Sequence, residues 1–248
     1  MNDGPRLAVD IGGTFTDVVL DYDGGQDRLK LLTTPEAPEQ AVLSGVDEIL
    51  QRTGVAPGDI TLVIHGTTLA TNALIERKGA RTALITTDGF RDSIEMAYEH
   101  RFEQNDLYME RPAPLIARDW RFSVPERIAA DGSVLLDLDE GALVDLAADL
   151  GKTDVAAIAV CFLHSYVNQD HEQRAGEILA RALPHVAITL SAEVCPEIRE
   201  YDRMSTACAN AYVQPMMAGY LTRLADGLQA ARITCPLLLM MSSGGITT

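Results

Sequence analysis

Apolar and polar residues alternate in short stretches at the start of the chain. Three stretches are rich in β-branched and aliphatic side chains and are separated by glycine- and aspartate-containing turns: residues 6–9, 18–20 and 29–33. This pattern predicts an antiparallel meander whose first two strands meet at Gly12 and Gly13. Between residues 39 and 52 the apolar positions recur at helical spacing, so we expect a helix after the meander.

Strands and helices then alternate along the chain. Further strands are predicted at residues 59–65, 81–86, 134–136, 155–163, 186–190 and 236–241. Further helices are predicted at residues 70–78, 139–151, 171–183 and 204–228. Gly79 is expected to end the helix at 70–78, and Pro215 to kink or divide the last one. The stretch at 155–163 is almost wholly apolar, as in a strand buried on both faces, and 236–241 also indicates a core strand. Such βα succession favours an α/β fold with parallel strands.

The segment from residue 91 to 131 has a different character. It mixes charged residues with prolines and predicts a long excursion outside the sheet core. Its candidate lining residues for a substrate wall or partner contact are Tyr98, His100, Arg101, Tyr108 and Trp120. A solvated loop with scattered charges is the simpler interpretation.

Composition and charge exclude several classes of protein. The 248 residues are 47% hydrophobic and 23% charged, which is typical of a globular protein with a proper core. The net charge of −16 would repel nucleic acid, and no basic patch offsets it. The four cysteines lie far apart and indicate neither a zinc site nor a disulfide framework. No signal peptide or membrane-spanning run is apparent, so we expect a cytoplasmic protein without a membrane partner.

Candidate chemistry is concentrated between residues 10 and 17. Gly12 and Gly13 remove the Cβ atoms that would keep a phosphate from the main-chain N–H groups, and Thr14 and Thr16 add hydroxyl donors. Asp10 could hold a hydrated Mg²⁺ ion, and Asp17 could orient a hydroxyl group or a nucleophile. These residue types suit a metal-bound polyphosphate. An ordinary glycine turn with solvated aspartates is the alternative.

A second candidate lies where the strand predicted at 59–65 ends. His65 and Gly66 lead into a predicted helix start at Thr67 and Thr68. The exposed N–H groups of a helix N-terminus attract anions, and the strand's carboxyl end is where open α/β sheets place ligands. The alternative is that the threonines only cap the helix and His65 is a satisfied core residue.

Five stretches together resemble the hydantoinase A and 5-oxoprolinase family. They are residues 9–19 (VDIGGTFTDVV), 65–77 (HGTTLATNALIER), 87–92 (TDGFRD), 205–215 (STACANAYVQP) and 242–245 (SSGG). The resemblance extends in the same order over nearly the whole chain, which makes it far more specific than one glycine turn. It implies residues 1–190 as the hydantoinase/oxoprolinase N-terminal domain and residues 191–248 as the truncated start of a second hydantoinase A domain.

The resemblance also implies a fold and an activity. The expected fold is a ribonuclease-H-like, actin-like ATPase lobe, with a mixed sheet opened by an antiparallel meander and flanked by helices. Members of the family use ATP to phosphorylate cyclic amides, such as N-methylhydantoin or 5-oxoproline, before ring opening, and relatives carboxylate ketones. A hydantoinase B-type subunit or domain is the expected partner, and homo-oligomer formation is left open.

The resemblance assigns roles residue by residue. Asp10, Asp17 and His65 are the candidate catalytic residues, and Asp10 is also the candidate Mg²⁺ ligand. The candidate ATP-binding residues are Gly12, Gly13, Thr14, Thr16, Gly66, Thr67, Thr68, Asn72, Ser243, Gly244 and Gly245.

The chain is expected to be the front part of a longer subunit, whose second lobe would bring the adenosine pocket. We therefore expect this chain alone to bind ATP weakly and to have little ring-opening activity. The alternatives are a sugar or acyl kinase of the actin-like superfamily, a subunit of an ATP-dependent ketone carboxylase, and a non-catalytic lobe that binds a partner.

Overall fold

The structure is a computed structural model that describes residues 4–98, 105–110, 112–242 and 244–247. The chain forms two compact units, here named the split unit (Met1–Glu76 with Met216–Thr248) and the inserted unit (Arg77–Pro215). The predicted boundary between residues 190 and 191 coincides with neither limit of the inserted unit. The division of the chain into two family domains at this boundary stays a prediction.

The helices and strands follow the predicted succession in most places. In chain order they are β1 (Arg6–Ile11), β2 (Phe15–Tyr22), β3 (Gly25–Leu32), α1 (Pro38–Thr53), β4 (Leu62–Thr67), α2 (Leu69–Ile75), β5 (Thr82–Thr87), α3 (Ser93–Met96), β6 (Arg121–Val124), β7 (Arg127–Ile128), β8 (Val134–Leu136), α4 (Glu140–Leu150), β9 (Ala157–Cys161), α5 (Asp170–Ala182), β10 (Ala187–Leu190), α6 (Ser191–Val194), α7 (Glu200–Ala230), β11 (Leu237–Met240) and β12 (Ile246–Thr247).

A six-stranded mixed sheet forms the centre of the split unit. Its strand order is β12-β11-β4-β1-β2-β3. The first three strands of the chain pair as the predicted antiparallel meander, while β4 and β11 run parallel to β1. The carboxyl ends of β1, β4 and β11 therefore meet at one edge of the sheet, where ligands of open α/β sheets are commonly bound.

The split unit buries one face of this sheet. Along β1 the buried residues Leu7, Val9 and Ile11 alternate with exposed ones, as expected for a strand covered on one side. The buried side chains pack against α1 and against Tyr220 and Leu224 of α7 in a single apolar cluster. Burial of this face leaves Asp10 on the opposite, exposed face of the sheet.

The inserted unit contains a parallel four-stranded sheet in the order β10-β9-β5-β6. As predicted, β9 is wholly buried. The prediction for residues 91–131 is wrong in one respect, because β6 within this segment pairs with β5 as an edge strand of the sheet. Buried Arg121 begins that strand and binds Glu95 at 2.8 Å, so this charged residue belongs to the unit's interior. His100 and Arg101 lie outside the described residues.

Three further element predictions need correction. The helix that follows β4 ends at Ile75, and Arg77, with φ of 57°, turns the chain where Gly79 was expected to do so. The helix α7 begins at Glu200, before the predicted Met204, and continues through Pro215. Strand β11 is only half buried. Within the described residues, no helix combines the length and apolar character needed to cross a membrane.

Candidate functional site

The bend between β1 and β2 is held in close contact with neighbouring backbone. The Gly12 N–H donates to the Phe15 carbonyl at 2.9 Å. A Cβ atom on Gly12 would lie 3.2 Å from that same carbonyl oxygen, and one on Gly13 would lie 3.2 Å from Nδ2 of Asn72. Neither glycine has a positive φ. The sequence therefore uses glycine here for close approach and not for an unusual backbone conformation.

The bend exposes N–H groups while most of its carbonyl groups are occupied. The Ile11 carbonyl accepts the Thr68 N–H at 3.2 Å, and the Thr14 carbonyl accepts the Thr33 N–H at 2.9 Å. The Gly12 carbonyl accepts the Thr33 hydroxyl at 3.0 Å. In the described part of the chain the N–H groups of Gly13 and Thr14 donate no hydrogen bond. Successive free N–H groups in an exposed bend form a concavity suited to an anion.

Thr33 supports the bend from beneath, and sequence reasoning missed it. It follows the last residue of β3 and is buried, like Thr16, whose hydroxyl lies 3.0 Å from that of Thr33. Because the Thr33 hydroxyl proton goes to the Gly12 carbonyl, Thr16 is the donor in this pair. The expectation that Thr16 presents its hydroxyl to a ligand is wrong, since its side chain is completely buried. Thr14 is exposed, as expected.

Asp10 lies beside the bend with its carboxylate exposed. Its Oδ1 would be 3.0 Å from a Cβ atom on Gly66, which is its register partner on β4. Within the described residues the Asp10 side chain has no hydrogen bond or ion pair. Asp17 is opposite Asp10 on β2 but forms an ion pair with Lys30, with Nζ–Oδ distances of 2.9 and 3.0 Å. The two candidate carboxylates thus differ, because Asp10 alone of the pair lacks a cation.

His65 is placed differently from the prediction. It lies inside β4, is 1% exposed, and its Nε2 is 2.8 Å from the hydroxyl of Tyr220 on α7. Burial lowers the pKa of His65, opposed only in part by the Val9 backbone and the Asp10 charge. Its Nδ1 is buried and has no hydrogen-bond partner in the described chain. Burial also raises the pKa of Tyr220, so both groups are uncharged at neutral pH. The side chain of His65 does not face the exposed bend.

The segment after His65 brings polar groups to the bend. Gly66 and Thr67 belong to β4, so the strand continues two residues beyond its predicted end at His65. Thr67 Oγ1 accepts the Leu69 N–H at 3.1 Å, while Thr68 Oγ1 is 3.4 Å from the Ile11 carbonyl and accepts from Asn72 Nδ2, also at 3.4 Å. The structure therefore assembles this segment against the bend, with Asn72 over Gly13.

The glycine turn after β11 lies at the same edge of the sheet. Met241 and Gly245 close it with a 3.0 Å N–H to carbonyl hydrogen bond, and Gly244 and Gly245 have φ of 81° and 98°. Ser243 lies outside the described residues. Strand β11 is parallel to β4, and Leu239 is the register partner of His65. The turn that follows β11 therefore begins about level with Thr67, the last residue of β4.

The side chains at this site suit a hard cation that keeps several water ligands. They do not suit a metal ion bound by protein ligands alone. Among the described residues no three His, Cys, Asp or Glu side chains converge on a metal position. Mg²⁺ commonly takes one or two carboxylates and completes its shell with water and phosphate oxygens. Asp10 offers such a carboxylate, and the missing Cβ of Gly66 leaves space beside it.

Comparison with known proteins identifies close relatives over almost the whole chain. The family model "Hydantoinase/oxoprolinase N-terminal region" matches residues 6–183, and the model "Hydantoinase/oxoprolinase" matches residues 203–248. Caprolactamase subunit alpha from Pseudomonas jessenii is 37% identical over 97% of this chain and 36% of its own length. The 5-oxoprolinase of Saccharomyces cerevisiae is 32% identical over 97% of this chain and 22% of its own length.

Solved structures have the same fold. The ATP-dependent caprolactamase of Pseudomonas jessenii superposes with a TM-score of 0.88 at 36% identity, covering 97% of this chain and 36% of that one. Nucleotide-free acetone carboxylase, at 24% identity, superposes with a TM-score of 0.86 and covers 100% of this chain and 37% of that one. The predicted fold class, a mixed α/β fold of the actin-like ATPase type, is confirmed.

The chain spans about a third of the length of caprolactamase subunit alpha and about a fifth of that of 5-oxoprolinase. Its match to the N-terminal family model nevertheless covers most of its residues. The chain belongs to the hydantoinase/oxoprolinase family.

Proposed function

We propose that this chain is the phosphate-binding part of an ATP-dependent enzyme that opens cyclic amides. Two relatives support this reaction class by name, since one is an ATP-dependent caprolactamase and the other a 5-oxoprolinase. Transfer of the γ-phosphoryl group from ATP to the amide oxygen releases ADP and turns a poor electrophile into one that water can attack. Because the relatives are several times longer than this chain, the complete activity is proposed for the whole protein.

The arrangement of the bend carries this proposal. The N–H groups of the exposed residues Gly13 and Thr14 donate no hydrogen bond within the described residues, while the carbonyls of Gly12 and Thr14 are already bonded. Phosphoryl transfer depends mostly on positioning and charge neutralisation, and backbone donors supply both without needing basic side chains. This explains how a chain with a net charge of −16 can hold a polyphosphate.

Asp10 is the proposed carboxylate ligand for Mg²⁺. The bound ion would neutralise part of the phosphate charge at the bend. We propose that Thr67, Thr68 and Asn72 complete the phosphate site from the adjoining segment, with the Gly244–Gly245 turn at its border. Asp17 would orient the attacking group only after its ion pair with Lys30 opens.

His65 is proposed to act indirectly. Its buried position and its bond to Tyr220 support a role in holding β4 beside Asp10. A direct catalytic role of its imidazole, which the family resemblance implied, would require the side chain to leave the core.

A partner and a cellular location complete the proposal. The names of relatives include an alpha and a gamma subunit, which supports assembly with other chains. We propose a hydantoinase B-type partner, acting with this protein in the cytoplasm.

The test measures phosphate release by the full-length protein with its partner against cyclic amides, ketones with bicarbonate, and sugars. We expect release with a cyclic amide, and a loss of about a hundredfold in Asp10→Asn, since a metal's charge stabilisation is worth several kcal/mol. Asp23→Asn, an exposed aspartate at the β2–β3 turn, is the control and should retain activity. Release with ketone and bicarbonate alone would favour a carboxylase, and release with sugars alone would favour a kinase.

A further inference from the structure

Thr33 makes three hydrogen bonds around the bend, although it lies 21 residues from Gly12 in sequence. Its N–H donates to the Thr14 carbonyl at 2.9 Å, its hydroxyl donates to the Gly12 carbonyl at 3.0 Å, and it accepts from Thr16. Its side chain is buried, so Thr33 does not itself reach a bound phosphate. It satisfies carbonyl groups on both sides of Gly13.

We propose that Thr33 is a positioning residue that holds the Gly12–Thr14 bend in its phosphate-binding shape before the nucleotide arrives. This inference rests on the proposed function of the bend. Carbonyl oxygens repel phosphate. Because Thr33 binds the Gly12 and Thr14 carbonyls, both are occupied, and the unbonded N–H groups of Gly13 and Thr14 remain available to the ligand. A preformed site avoids the cost of ordering the loop on binding.

The geometry also explains the choice of residue. A hydroxyl group has one proton, which Thr33 donates to the Gly12 carbonyl. The lone pairs of the same hydroxyl oxygen accept a hydrogen bond from Thr16. Valine has the same branched shape and would fill the space, but it would release the Gly12 carbonyl and leave the Thr16 hydroxyl buried without its acceptor. Serine would keep the hydroxyl and lose only a methyl group.

The experiment compares three variants of this chain by amide NMR and thermal unfolding. Thr33→Val removes the hydroxyl, and Thr33→Ser restores it. Thr61→Val is the matched control, because Thr61 also uses both its N–H, at 2.9 Å, and its hydroxyl, at 3.0 Å, to bind backbone, in this case the Pro5 carbonyl. The amide signals of Gly13 and Thr14 are recorded first without ligand and then during a titration with Mg-ATP.

We expect Thr33→Val to shift both amide signals in the free protein and to weaken Mg-ATP binding by roughly fivefold to tenfold, the usual effect of one lost hydrogen bond. Thr33→Ser and Thr61→Val should bind within about twofold of the wild type. The inference is overturned if free Thr33→Val keeps the wild-type signals, or if Thr33→Ser is as impaired as Thr33→Val.

A separate result tests the proposed function. If Mg-ATP at millimolar concentration moves neither amide signal in the full-length protein, which carries the expected adenosine pocket, ATP does not bind at this bend, whereas the comparison of free proteins still decides the role of Thr33. If Thr33→Val does not fold, Thr33→Ala against Thr33→Ser gives the same comparison.

Discussion

At Gly66, a Cβ atom would lie 3.0 Å from Oδ1 of Asp10, closer than side chains normally approach. The backbone there is ordinary extended strand, so a side chain at this position would crowd the neighbouring carboxylate and would not strain φ. At the scale of single residues, a substitution at Gly66 therefore acts directly on the Asp10 carboxylate.

Gly66→Ala should weaken Mg-ATP binding by about tenfold while leaving the fold intact, because the added methyl group forces the Asp10 carboxylate to rotate. Calorimetric titration of the full-length protein measures this effect. Gly58→Ala is the control, since nothing lies within 4 Å of a Cβ placed there. Equal affinity in both variants would show that Asp10 does not use this space.

His65 predicts a dependence of stability on pH. Burial lowers its pKa in the folded protein, whereas an unfolded histidine titrates near pH 6.5. The unfolded chain therefore binds an extra proton as the pH falls below about 6.5, and unfolding becomes easier.

Between about pH 7.5 and about pH 5.5, His65 should cost the folded protein up to about 1.4 kcal/mol. Urea unfolding at both values should show this slope in the wild type and a shallower one in His65→Gln. The other histidines contribute equally to both proteins, so the difference isolates His65. Parallel slopes would mean that His65 titrates normally.

At the scale of elements, α1 owes its close packing on the meander to Gly45. A Cβ on this residue would lie 2.5 Å from Cδ1 of Leu31 and 2.8 Å from Cγ2 of Val18. Alanine is the better helix former by about 1 kcal/mol, so retention of glycine inside the helix indicates that packing outweighs propensity.

Gly45→Ala should lower the free energy of unfolding by about 1–2 kcal/mol, because the steric cost exceeds the gain in helix propensity. Gly219→Ala in α7 is the matched comparison, since its Cβ would only approach the flexible end of Arg223, at 3.3 Å. That variant should gain up to about 1 kcal/mol. Chemical denaturation measures both, and equal effects would contradict the packing argument.

Elements with a strong local pattern were predicted well, and those defined by distant partners were not. The buried strand β9 was evident from its apolar run. Strand β6 was hidden, because its buried Arg121 and the charged residues around it resemble a solvated loop until β5 pairs with it. The predicted end of α2 at Gly79 was wrong because this glycine does not end the helix. It allows close packing against Tyr212, since a Cβ there would lie 2.1 Å from the Tyr212 ring.

At the scale of the whole molecule, each compact unit has its own apolar core. The cluster around β1, α1 and the end of α7 draws only on the split unit, whereas the clusters around β5 and β9 draw only on the inserted unit. A core of this kind is what a chain segment needs to fold independently.

Residues 77–215 expressed alone should therefore fold and unfold cooperatively, as followed by circular dichroism and amide NMR dispersion. Residues 1–76 alone should remain unfolded, because their core needs Tyr220, Leu224 and Leu228 from the other end of the chain. A cooperative transition in the short segment, or none in the long one, would refute this division.

Sequence alone established the opening meander, most helices and strands, the family and the position of the candidate phosphate bend, because each depends on neighbouring residues or on a contiguous motif. The tertiary structure decided which side chains face the core instead of the bend. It turned Thr16 inward to Thr33, 17 residues away, and His65 inward to Tyr220, 155 residues away. Such partners are brought together only by strand pairing and helix packing, so no local pattern of residues could identify them.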